Sequence, residues 1–164
     1  MKSSSLESAF VELVNAHRAA IHRVARMYAR SPDDRAELFQ EVVYQLWRAY
    51  PDFRRESREV TWVYRIALNT AITSLRRLGR RPEHVTLDDS RMAAGGDQTG
   101  DPRIEVLRAA IRQLSEVDRA VVMCYLDGLS YDETGDALGI SATNVGARPS
   151  RARMRLRELV NGRE

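Results

Sequence analysis

The stretch Gly128–Arg157, GLSYDETGDALGISATNVGARPSRARMRLR, constrains the fold of this chain more than any other part of it. Ser130 is placed to cap a short helix over Tyr131–Leu138, and Glu133, at the third helical position, completes a capping box. Gly139 follows, the residue type that most readily takes the left-handed conformation closing a helix. Ser141 caps a second helix that runs into a row of arginines. Gly135 is small enough to let the two helices approach, and Leu138, Ile140 and Val145 are the apolar positions that hold them at an angle. Two capped helices on a tight turn have the outline of a helix-turn-helix, whose second helix enters the DNA major groove. An ordinary αα-hairpin has the same outline.

The rest of the chain reads as helix after helix, and no segment combines strand alternation with hairpin turns, so an all-α fold is expected. Leu6, Phe10, Leu13, Val14, His17, Ile21, Val24 and Tyr28 recur at helical steps, which predicts one amphipathic helix of about seven turns. Ser31-Pro32-Asp33 starts a second helix, about residues 33–50, expected to pack through Phe39, Val42, Val43, Leu46, Trp47 and Tyr50. At 100° per residue its opposite face gathers Asp34, Glu37, Glu41 and Arg48, with Gln40 at the edge. A polar loop, PDFRRESRE over 51–59, leads to a third helix at 60–78. Val63, Ala67, Thr70, Ala71 and Leu78 lie on one side of it, and Tyr64, Leu68, Ile72 and Leu75 on the next, as in a central helix. Its remaining strip holds Arg58, Trp62, Arg65, Asn69, Thr73, Arg76 and Arg80. A tryptophan among arginines suits a surface on which an unpaired base stacks, and equally a ring packed on the adjacent loop.

Residues 80–100, rich in Gly, Asp, Ser and Thr and without sustained periodicity, read as a flexible linker between two small domains, 1–79 and 101–164. In the second domain Asp101-Pro102 opens a helix with Ile104, Leu107, Ala110, Ile111 and Leu114 on its apolar face. Ser115–Asp118 caps another, expected to pack through Val121, Val122, Cys124, Tyr125 and Leu126.

Composition narrows the function. Of the 26 basic residues only Lys2 is a lysine, and arginine forks suit phosphates and guanine edges. Acids cluster early, at Asp33, Asp34, Glu37 and Glu41, and arginines late, at Arg148, Arg151, Arg153, Arg155 and Arg157, which points to one basic and one acidic partner. Cys124 is the sole cysteine, so neither a disulfide nor a thiolate metal cluster is expected. His17, His22 and His84 lack partner ligands at metal-site spacing. No carboxylate pair with histidine, nucleophile with base, or phosphate-cradling loop stands out, so no enzyme is expected, and no cofactor. With no signal peptide and no apolar run near the roughly eighteen residues of a membrane span, a soluble cytoplasmic protein without membrane contact is expected.

These residues together resemble a bacterial RNA polymerase sigma factor of the sigma-70 family, in its extracytoplasmic-function (ECF) group. DRAELFQEVVYQLWRAYPDF at 34–53 followed by TWVYRIALNTAITSLRR at 61–77 resembles the family's region 2, and LSEVDRAVVMCYLDGLSYDETGDALGIS at 114–141 its region 4. The resemblance implies a factor that binds core polymerase and directs promoter recognition, DNA melting and initiation. It implies core-polymerase positions at Asp34, Glu37, Leu38, Gln40 and Glu41, docking on the β′ clamp helices, with the β flap as a second contact. The −10 element falls to Phe53, Arg54, Arg55, Glu56 and Ser57 of the loop and to Trp62, Arg65, Asn69 and Arg76, which receive a base splayed from the stack. The −35 element falls to Ser141, Thr143, Asn144, Ala147 and Arg148 near base edges and to Arg151, Arg153 and Arg155 at phosphates. Members are commonly held inactive by an anti-sigma protein, which joins core polymerase and promoter DNA among the implied partners.

Region 4 departs from the family pattern. Gly135 stands where alanine is usual, and Pro149 where leucine or isoleucine is usual. A proline at that depth loses the bond to the Val145 carbonyl at a cost of about 3 kcal/mol or more, so a kink is expected, with altered −35 binding. Gly135 and Gly146 are each expected to weaken the hairpin by about 1 kcal/mol. A stand-alone helix-turn-helix regulator would account for the C-terminal hairpin, and would leave the acidic face and the Trp62 strip without a role.

Overall fold

A computed structural model describes residues 2–79 and 101–162, and every regular element among them is helical. The N-terminal unit comprises α1 (Lys2–Ala16), α2 (Arg18–Tyr28), α3 (Pro32–Ala49), a 3-10 turn (Tyr50–Asp52) and α4 (Glu59–Gly79). The C-terminal unit comprises α5 (Pro102–Arg112), α6 (Glu116–Leu126), α7 (Tyr131–Leu138) and α8 (Ala142–Asn161). The expected linker, 80–100, lies outside the described residues.

The single first helix divides in two at His17, whose backbone (φ −111°, ψ 13°) leaves the helical region. The apolar period crosses this break unchanged: Phe10 and Leu13 are buried before it, Ala20, Ile21, Val24, Ala25 and Tyr28 after it. The pattern therefore carried no sign of the bend. Before it, α1 lays Phe10 against Trp47 (ring centroids 5.0 Å) and Tyr50 (5.4 Å) at the end of α3. Helix α3 begins where the Ser31 side chain accepts the Asp34 N–H at 3.1 Å, with proline in the first turn.

Helix α4 is central. It packs on α2 and α3 on one side and on α7 on the other. Thr61, Trp62, Val63, Tyr64, Ala67, Leu68 and Ala71 are all buried, so successive residues at its start face inward. Full burial of a large apolar side chain contributes about 1.5–3 kcal/mol, and Ile21, Val42, Leu46, Val63 and Leu68 around α4 are nearly inaccessible. Ala120, Met123, Cys124 and Leu129 of the C-terminal unit belong to this same cluster. A second, smaller cluster joins Ile111, Leu114 and Ala152, with Met27 of α2 packed on it.

Several expected core positions sit outside it. Trp47 and Leu107 are about two-fifths exposed, and Ile104 similarly. Tyr125 and Leu126 face solvent beside α8, while Met123 of the same helix is buried. In these helices the buried arc is narrower than the apolar one.

The helix-turn-helix is built as its residues dictate. Ser130 and Glu133 form both bonds of the capping box, each at 3.1 Å, and Gly139 takes the left-handed conformation at φ 72°. Ser141 accepts the Asn144 N–H at 3.1 Å. A Cβ on Gly135 would lie 2.6 Å from the Ile140 carbonyl oxygen, so glycine is required where the turn folds back on α7. Helix α8 continues through Pro149 to Asn161. The missing hydrogen bond does not end it, because Val145 before the proline and Ala152 after it are both buried.

The two hairpin glycines therefore differ in kind. A Cβ on Gly146 would meet the Tyr131 ring at an ordinary 3.4 Å. Thermal melts should show Gly146→Ala stabilising by about 0.5–1 kcal/mol through helix propensity. Gly135→Ala should destabilise by about 1–3 kcal/mol, the range for overpacking at a tight contact.

Candidate nucleic-acid interface

The loop between the 3-10 turn and α4 folds back on the start of that helix. Phe53 stacks on Trp62, with centroids 4.4 Å apart and planes 23° from parallel, and the Tyr50 ring lies tilted to Trp62 at 6.3 Å. Trp62 is consequently only 8% exposed: its ring forms a wall and is not an open platform. Arg55 sits in the left-handed region (φ 58°), strained for a residue with a side chain, and its guanidinium lies 5.7 Å from the Phe53 ring centroid. A pocket of about 420 Å³ opens beside this stack, lined by Asp52, Phe53, Arg54, Glu56, Ser57, Trp62, Arg65 and, from α7, Asp136. Six of the nine expected −10 residues thus meet at one cavity, and Arg55 stands at its edge over Phe53. Asn69 lies elsewhere, in the cleft described next, and Arg76 is joined to Glu116 at 3.0 Å.

That cleft, about 490 Å³, runs between α3 and α4 and contains Asp34, Glu37, Leu38 and Glu41 with Asn69, Thr73 and Arg77. Gln45 donates to Glu41 at 2.9 Å. Leu38 is 6% exposed and belongs to the core cluster, so it supports the acidic face from below. Gln40 is exposed on α3 and does not line the cleft.

On α8, Ser141, Thr143, Asn144 and Ala147 are exposed. Arg148 is held from both sides, donating to Asn144 Oδ1 at 3.0 Å and pairing with Asp118 of α6 at 2.7 Å. At 100° per residue Arg151 and Arg155 share the Asn144 face, whereas Arg153 points the opposite way. There it lines a groove with Val122, Tyr125, Leu126, Pro149 and Leu156. Pro149 therefore lies on the side of the helix away from Asn144.

The features least visible beforehand are the polar contacts between the two units. The Arg58 guanidinium donates to both oxygens of Glu133 (2.6 and 3.0 Å), and the buried Thr61 hydroxyl donates to the same carboxylate at 2.7 Å. Asp127 accepts from Arg23 (2.9 and 2.7 Å) and from the Tyr64 hydroxyl. Arg65 donates to the Asp136 carbonyl at 3.2 Å. Arg112 caps the Arg26 carbonyl at 3.0 Å, Arg119 that of Met27 at 3.0 Å, and the Tyr28 hydroxyl donates to the Glu116 carbonyl at 2.9 Å. In sequence Glu133 carries only a capping-box signal, and nothing marks Asp127 or Arg23. Such long-range pairings leave no local pattern.

Residues 13–81 match the family model described as Sigma-70 region 2, and residues 104–156 that described as Sigma-70, region 4. The ECF RNA polymerase sigma factor SigM of Mycobacterium tuberculosis is 31% identical over 152 residues, spanning 93% of this chain and 77% of SigM. The chain belongs to the ECF sigma factors. It directs promoter-specific initiation of transcription, as that family does. The ECF RNA polymerase sigma-E factor of Escherichia coli K12 is also 31% identical, over 80% of this chain and 78% of its own. Among solved structures, the sigma factor RpoE of Bartonella quintana, held in complex with the anti-sigma factor NepR, superposes with a TM-score of 0.76. That match has 22% identity and covers 93% of this sigma factor and 97% of RpoE. CnrH, in complex with the cytosolic domain of CnrY, gives 0.71 at 27% identity, covering 96% and 91%. Among the described residues of this sigma factor, no helix is long and apolar enough to cross a membrane.

The Glu133 carboxyl is held down to about 2, first by the Arg58 guanidinium and then by the Ser130 N–H and the Thr61 hydroxyl. A depressed carboxyl stabilises the fold above its ordinary value of 4.5 and loses that contribution as pH falls toward about 2. The difference in melting temperature between the native chain and Glu133→Gln should therefore be largest at neutral pH. It should shrink through that acid window when melts are followed by circular dichroism.

Proposed function

We propose that this sigma factor uses three separate faces. The acidic cleft of α3 and α4 receives the basic β′ clamp helices of core polymerase, through Asp34, Glu37 and Glu41, with Gln40 on the flank and Leu38 holding the helix in place. The pocket beside Trp62 receives a non-template base of the −10 element. The exposed start of α8 reads the −35 element. The pocket carries the reading: its volume of about 420 Å³ lies within the range of about 300–1,000 Å³ for small-ligand sites, and a stacked aromatic pair walls it.

The chemistry of each wall fits its role. Extruding a base costs a few kcal/mol of lost stacking, which contacts in the pocket must return. Phe53 and Trp62 form a rigid aromatic side, Glu56 and Ser57 offer groups to the base edge, and Arg54 and Arg65 serve the flanking phosphates. Arg76 and Asn69, farther along α4, serve the strand beyond the pocket or neighbouring partners. On α8, Asn144 and Arg148 suit adenine and guanine edges respectively, and Arg148 reaches the groove already oriented by Asp118. Arg151 and Arg155 serve phosphates; Arg153, on the Pro149 side, serves the protein partner there, the β flap. The chain works in the cytoplasm and adds no catalytic group of its own, since the polymerase holds the active site. An anti-sigma protein completes the partners, as NepR does for RpoE.

Charge reversal tests the assignment of the acidic cleft. Asp34→Arg combined with Glu41→Arg places like charge opposite a basic partner, which costs several kcal/mol. Capture on core polymerase should weaken on the order of a hundredfold, with run-off transcription lost and far-ultraviolet circular dichroism unchanged. Unaltered capture by the folded variant would exclude this face as the docking site.

A further inference from the structure

The pocket beside Trp62 holds groups that a phosphate backbone does not ask for. Asp52 and Glu56 line it together with Arg54 and Ser57, all four from one loop. A carboxylate is repelled by the phosphates flanking an extruded nucleotide, so it suits such a site only where hydrogen-bond donors face it. Glu56 is exposed, and neither its side chain nor that of Ser57 has a hydrogen-bond or ion-pair partner among the described residues. Arg54 and Glu56 both reach the cavity, while Arg55 between them takes the left-handed backbone and turns its guanidinium to the Phe53 ring. Backbone strain of this kind persists where the surroundings over-determine it, and it clusters at binding sites.

An extruded base turns its pairing edge to the protein. Along that edge guanine presents, in order, the O6 acceptor, the N1–H donor and the N2–H donor. One carboxylate can accept from both donors at once, and a hydroxyl beside it can donate to O6. Cytosine and adenine each offer a single exocyclic amine next to a ring-nitrogen lone pair. Thymine offers one N–H between two carbonyl oxygens. On all three the second carboxylate oxygen would meet a lone pair, and only guanine engages both. We propose that Glu56 determines the specificity of the pocket, with Ser57 beside it, and that the base it takes is guanine. This rests on the reading of the pocket as the −10 base site. Every group it needs lies between Phe53 and Trp62: the two rings stack on the base, and Arg54 offsets the repulsion between Glu56 and the flanking phosphates.

The test uses holoenzyme, core polymerase loaded with the full chain, and four fluorescein-labelled pools of single-stranded DNA, each lacking one base. Glu56→Gln keeps the length of the side chain and replaces one acceptor with a donor. With core capture and circular dichroism unchanged, it should weaken the three pools that contain guanine about tenfold or more, the discrimination of a bidentate base contact. The guanine-free pool should bind native and variant holoenzyme alike. A loss shared equally by all four pools, a loss that spares a different pool, or no loss at all overturns the assignment of guanine to Glu56. Phe53→Ala tests the underlying reading separately, because it removes a stacking wall and leaves the carboxylate in place. In a variant that still captures core polymerase it should weaken every pool, by about fivefold or more for a lost aromatic platform. Unchanged affinity there means that the pocket holds no base, whereas weakening there with no effect of Glu56→Gln leaves the pocket a base site that Glu56 does not read.

Discussion

Helix α4 carries apolar side chains on two adjoining sides, and a single neighbouring layer cannot cover both. Helices α2 and α3 take one side; the other is left for α7. Tyr64 illustrates the consequence, with its ring in the N-terminal core and its hydroxyl on Asp127. The C-terminal unit depends on this arrangement too. Its separate cluster is small, Ile111, Leu114 and Ala152, and units of this size bury too little surface to be robust alone. By lending Met123, Cys124 and Leu129 to the larger core, it gains burial it could not assemble by itself.

The electrostatics follow the same division. Exposed ion pairs add little net energy but fix how surfaces register. Arg58–Glu133, Arg23–Asp127 and Arg76–Glu116 all have a solvated guanidinium facing a more sheltered carboxylate. Burial supplies the affinity between the units, and the pairs choose the orientation. The arginines are also those that a polyanion would seek, so one set of charges serves cohesion and recognition. Asp34, Glu37 and Glu41 line a cleft instead, where Glu41 accepts from Gln45 of its own helix.

Local rules made much of this legible. Capping serines, the capping box and the Gly139 turn are short-range, and each stands where the residues put it. The two-sided burial of α4 was visible in its spacing. What lay beyond reach was of two sorts. The bend at His17 breaks backbone geometry without disturbing the hydrophobic period, so periodicity could not register it. The pairing of α7 with α4 joins residues more than sixty positions apart and has no signature in either segment. The pocket was legible in part: a Trp62 ring packed on the adjacent loop was one of two readings open beforehand, and Phe53 proves to be the ring it stacks on, but the closure of the cavity by Asp136 belongs to the assembled chain.

Gly135 gives the helix-turn-helix an asymmetry of tolerance. At Gly146 a Cβ would make ordinary contact with the Tyr131 ring, and at Pro149 the helix absorbs a lost bond on the side away from the exposed Asn144. At Gly135 the backbone of the turn comes within van der Waals reach of where a methyl group would begin. Substitutions can therefore accumulate along α8 and alter what it reads, while the angle at which that helix is presented stays locked by one position that accepts no side chain. The hairpin can thus diversify its reading surface without changing its posture.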